Sequence, residues 1–80
     1  MSREQVFEVI VRHARDVVPK LATHRFQLTD SLRELGANSV DRADIIMMTL
    51  ETLGLKIPLT ALAGAENIGE LAAIIHEKAA

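Results

Sequence analysis

The sequence predicts an all-α chain: a small bundle of three main helices plus one or two short helices, with a long first loop. Three observations carry that expectation. Apolar residues recur at helical spacing in three separate stretches. No segment alternates in a strand-like way for more than a few residues. The apolar content of 49% is almost wholly aliphatic, with Phe7 and Phe26 the only Phe, Tyr or Trp residues, which suits packed helices.

The first helix opens on a capping box, Ser2 followed three residues later by Gln5. Val6, Ile10, Ala14 and Val17 form its stripe, widened by Phe7, Val11 and Val18. It ends near Pro19, which cannot continue the hydrogen-bond ladder. Residues 20–38 then make a connection longer than a helical hairpin needs. Leu28, Leu32 and Leu35 are its expected anchors to the core. Thr29-Asp30-Ser31 offers caps for a short turn that Gly36 ends.

The central helix follows Ser39, its run going from Asp41 to about Leu53. At ~100° per residue, Val40, Ala43, Ile46, Met47, Leu50 and Leu53 share one face, expected to be buried. Asp41, Ile45, Met48 and Thr52 lie opposite, flanked by Arg42 and Asp44. Two readings stand for Ile45 and Met48: a helix buried on most sides, or a docking stripe with methionine for adaptable contact. On the second, Met48→Glu leaves unfolding unchanged and impairs docking. Gly54 ends the helix. Pro58 precedes a short helix from Leu59 to about Ala63, stopped by Gly64. Asn67 and Glu70 make a capping box for a last helix to about Lys78, with Ile68, Leu71, Ala72 and Ile75 inward. Gly69 near its start signals close packing or an adaptable first turn.

Eighty residues are read as one domain, near the size at which a core becomes marginal. With no cysteine, neither a disulfide nor a cysteine-ligated zinc supports it. A net charge of −2 argues against nucleic-acid binding. No apolar run reaches the length of a membrane span and the start is not a signal peptide, so a soluble, cytoplasmic monomer is expected. His13, His24 and His76 lack metal-ligand spacing. No nucleophile–base pair is evident. The chain is not read as an enzyme.

What remains is Leu35-Gly36-Ala37-Asn38-Ser39-Val40. Spacing alone makes Ser39 an N-cap, its hydroxyl beside unpaired backbone N–H groups. This motif, the leucine-anchored loop Asp30-Ser31-Leu32-Arg33-Glu34-Leu35 and Ile57-Pro58 together resemble the acyl carrier protein family over nearly the whole chain. The resemblance implies that family's bundle, counted as four helices. It also implies a 4′-phosphopantetheine arm moved from coenzyme A onto Ser39 by a phosphopantetheinyl transferase. The missing cysteine fits, because the thiol comes with the arm. Asn38 stands where the family usually has aspartate, keeping the shape and losing a charge that partners see. Arg42 interrupts a helix that is strongly acidic in fatty-acid carriers.

The stretches 39–48 and 62–72 are similar to a narrower group, the free-standing donor carriers of polyketide β-branching. That likeness implies loading with malonyl by an acyltransferase and conversion to acetyl by a decarboxylating ketosynthase-like enzyme. A hydroxymethylglutaryl-synthase-like enzyme then takes the acetyl group. The expected partner face is Asn38, Val40, Asp41, Arg42, Asp44, Ile45 and Met48. Two alternatives are a carrier for fatty-acid or other polyketide or peptide synthesis, and a helical interaction module that is never modified.

Overall fold

A computed structural model describes residues 1–79. Its elements, in order, are α1 (Arg3–Val17), a 3-10 turn (Pro19–Leu21), α2 (Ser39–Leu53), a second 3-10 turn (Leu59–Leu62) and α3 (Ile68–Ala79). No strand occurs among the described residues. Among the described residues the α-helices number three rather than four, because Pro58 and Gly64 leave room between them for a single 3-10 turn.

Helix α1 begins as the sequence predicts. Ser2 Oγ accepts the Gln5 N–H at 3.1 Å, and Gln5 Oε1 accepts the Ser2 N–H at 2.8 Å. The helix packs against both α2 and α3, burying Val6, Ile10, Val11 and Ala14. The valine and isoleucine side chains each contribute about 1.5–3 kcal/mol of transfer free energy. Pro19 has no N–H to extend the ladder and starts the first 3-10 turn instead.

Of the three expected loop anchors, Leu32 is buried, Leu35 packs half-buried against the core, and Leu28 is 59% exposed. Backbone does the holding at Leu28. The Gly69 N–H donates to the Leu28 carbonyl at 2.8 Å, and the Ile68 N–H to the Asp30 carbonyl at 2.9 Å. These donors open α3, where a helix has no partners of its own for them. The long loop thus caps the last helix. Glu70 N–H donates to Asn67 Oδ1 at 2.7 Å, while the Glu70 carboxylate takes the Glu66 N–H rather than closing the box on Asn67. Ile68, Leu71, Ala72 and Ile75 all face inward as the pattern predicts.

Asp30 clasps the loop. Its Oδ2 accepts the Gln27 N–H at 2.8 Å and lies 3.0 Å from His24 Nε2. The Gln27 N–H first, and the His24 contact second, hold the carboxyl below its ordinary value of 3.8. A depressed folded value means that the clasp contributes fully above pH 3.8 and is lost as pH falls through the depressed value. Asp30→Asn is therefore expected to lower the thermal midpoint at neutral pH. The gap from wild type should close in the acid range, as followed by circular dichroism; a pH-independent gap would contradict a clasp made by the ionised carboxylate.

Candidate functional site

The turn before α2 is built from residues 32–38. Leu35 N–H donates to the Ser31 carbonyl and Ala37 N–H to the Leu32 carbonyl, at 2.9 and 3.0 Å. Gly36 closes this turn at φ +100°, and a Cβ there would strike the Lys20 ammonium. That conformation suits glycine and few others. Ala37 is buried beneath the turn, so the next two residues emerge at the surface.

The N-cap of α2 is Asn38, not Ser39. Asn38 Oδ1 accepts the Asp41 N–H at 2.8 Å, and the Asp41 carboxylate accepts the Asn38 N–H at 3.3 Å. An amide caps as well as a carboxylate does, which explains why asparagine keeps the turn intact. Ser39 is the first helical residue, exposed and relieved of capping. Its hydroxyl sits at the positive end of the helix, beside first-turn N–H groups.

Arg42, one of the expected partner-facing residues, is a half-buried staple. Its guanidinium donates to the Ala37 carbonyl at 2.7 Å, tying the first turn of α2 to the loop. With Lys20 over Gly36, two cations lie against the turn that presents Ser39. An anion attached to that serine would meet donors and positive charge.

The larger correction concerns the phase of α2. Ile45, expected on the partner face, is fully buried, and Met48 is half-buried. Met47, expected to be core, is 54% exposed, and Val40, placed both on the core face and among the partner residues, is 66% exposed. The helix is turned by roughly a quarter of a revolution from the predicted orientation. One polar side chain permits that orientation and another ties it to α1. Thr49 donates its hydroxyl to the Ile45 carbonyl at 2.7 Å, which lets it be buried at no hydrogen-bond cost. His13 Nε2 and Thr52 Oγ1 share a 2.7 Å hydrogen bond between α1 and α2.

The exposed stripe that results is Val40, Asp44, Met47 and Glu51, spaced i, i+4, i+7, i+11 and starting beside Ser39. Of the expected partner residues, Asn38, Val40 and Asp44 are exposed, Asp41 is half-buried in the capping box, and Ile45 is excluded. Met47 and Glu51 were missed, although reading the helical spacing onward from Val40 finds both. Met48→Glu is no longer a clean surface probe; Met47 is the methionine that faces solvent.

Among the described residues no group of side chains could hold a metal ion, and no helix is long and apolar enough to cross a membrane. A protein-family model described as a phosphopantetheine attachment site matches residues 8–75. The chain is 51% identical, over 98% of its length and 95% of the relative's, to the polyketide biosynthesis acyl-carrier-protein AcpK of Bacillus subtilis (strain 168). It is 29% identical to the acyl carrier protein of Caulobacter vibrioides, over 96% of this chain and 94% of that one. A crystal structure of the curacin biosynthetic pathway HMG synthase in complex with acetyl donor-ACP contains a chain that superposes with TM-score 0.90. That match is 51% identical and covers 94% of this chain and 96% of that one.

Proposed function

This chain belongs to the phosphopantetheine-attachment family of acyl carriers, and from that premise we propose that Ser39 bears the arm and the exposed stripe of α2 is the face its partners read. The protein is a carrier, not an enzyme. Its covalent 4′-phosphopantetheine supplies the thiol on which acyl groups ride as thioesters. The single observation that carries the assignment of Ser39 is its place: exposed, first in the helix, with Asn38 doing the capping. A phosphodiester at that point is favoured by first-turn N–H groups and the helix dipole.

The cargo and its taker follow from likeness. A polyketide carrier and an acetyl donor carrier seen with an HMG synthase both share half of this sequence over nearly its full length. We therefore read the chain as a cytoplasmic donor carrier for polyketide β-branching. It would receive its arm from a phosphopantetheinyl transferase and malonyl from an acyltransferase, with a decarboxylating ketosynthase-like enzyme making the acetyl form. Acetyl then passes to an HMG-synthase-like enzyme. Asp44 and Glu51 beside Val40 and Met47 suit brief docking on a basic, apolar-centred partner surface, with affinity falling as salt rises.

The test is intact mass after incubation with coenzyme A and a broad-specificity transferase. Wild type is expected to gain one phosphopantetheine and Ser39→Ala none; no gain on wild type would restore the unmodified interaction module. Acetyl-loaded carrier is then offered to an HMG-synthase-like enzyme and to a fatty-acid ketosynthase. Transfer to the second alone would place the chain in general fatty-acid synthesis.

A further inference from the structure

Beside the attachment helix lies a cleft of about 610 Å³ between the first loop, α2 and the second 3-10 turn with α3. Ile46, Leu62 and Leu71 give it an apolar floor, and Arg33 and Arg42 line it from the loop and from α2. Resting on the carrier reading above, we propose that this cleft seats the free carboxylate of an acyl group borne on the chain's own arm.

Arg42 stands three residues after Ser39, which makes the two neighbours on the helix surface. One nitrogen of its guanidinium is fixed by the Ala37 carbonyl. The fork is thereby held in place while its other donors stay available. Glu34 and Glu66 also line the cleft. Even so, the only ion pair among the described residues is His24 with Asp30, so neither arginine is matched by a carboxylate within 4.0 Å. A half-buried arginine without a counter-charge, next to apolar floor and beside the tether, calls for a short acyl chain ending in an anion. Arginine takes a carboxylate through paired N–H donors, which distinguishes it from a methyl or ketone end. An acyl group lacking the carboxylate has nothing to hold it there and returns to solvent.

The test uses the full chain labelled with ¹⁵N-arginine, prepared as apo, holo, acetyl, acetoacetyl and malonyl forms, each confirmed by intact mass. Acetoacetyl matches malonyl in size but is uncharged. The Nε–Hε resonances of Arg42 and Arg33 are expected to move from their holo positions in the malonyl form alone. Arg33→Gln should weaken the displacement at Arg42 while leaving loading at Ser39 intact. Equal displacement by malonyl and acetoacetyl, or a full displacement already present in the holo form, overturns the carboxylate seat and leaves the carrier reading standing. Failure to load at Ser39 removes both.

Discussion

Ile45→Ala is expected to destabilise the carrier by about 2–5 kcal/mol, whereas Met47→Glu on the same helix should leave the urea midpoint nearly unchanged. Ile45 is enclosed on all sides, and the hydroxyl of Thr49 is bonded to its carbonyl one turn away. Removing its outer carbons leaves a void that α1 cannot collapse into, because His13 and Thr52 fix the spacing of the two helices. A domain of this size has about 5–15 kcal/mol of stability in all, so the variant should lose a large share of it and unfold at a clearly lower urea concentration. Met47 is more exposed than buried, and a carboxylate there costs little in solvation. Its effect belongs to docking: acetyl transfer to the partner enzyme should fall while the apo, holo and acetyl forms remain folded. A stable Ile45→Ala with an unfolded Met47→Glu would reverse the phase of α2.

That contrast explains why α2 was the least legible part of the sequence. In α1 and α3 polar and apolar residues separate more cleanly: the predicted inward residues of α3 are all buried, and in α1 Val6, Ile10, Val11 and Ala14 are, while Phe7 and Val17 are half-buried and His13 is buried unpredicted. Helix α2 carries large aliphatic side chains all the way round, with Val40 and Met47 outside and Ile45 inside. Periodicity then has no contrast from which to take a direction. The deciding residues are polar ones whose partners lie within the protein, Thr49 on its own helix and Thr52 on α1, and hydropathy counts both as surface. The start of α2 was legible in position, but not which residue caps it. Asn38 and Ser39 are both good caps, and reciprocity separates them: Asn38 has Asp41 three residues on, while Ser39 has Arg42 there. Leu28 failed as an anchor for a related reason. Its carbonyl makes the contact, and backbone groups leave no hydropathy signal. Gly69 is the one residue in the sequence that marks it.

Gly69→Ala is the substitution that tests that contact, and it is expected to destabilise the fold despite alanine's advantage in helices. By propensity alone the change gains up to about 1 kcal/mol. A Cβ at this position would lie 2.8 Å from the Leu28 carbonyl oxygen and 3.1 Å from the Leu28 Cβ. The oxygen is backbone, and it is the acceptor of the Gly69 N–H itself. Relieving the clash therefore means lifting the loop from the first turn of α3, which also strains the bond from Ile68 N–H to the Asp30 carbonyl. Overpacking of this kind costs about 1–3 kcal/mol, enough to outweigh the gain. Urea unfolding should report the net loss, and amide hydrogen exchange should speed up at Ile68 and Gly69 or its replacement before it does along α1. Because the same loop runs on through Gly36 to Ser39, the variant is also expected to load its arm more slowly while remaining helical. If Gly69→Ala were neutral or stabilising, the loop would not depend on this approach, and Leu32 with Leu35 would suffice to hold it.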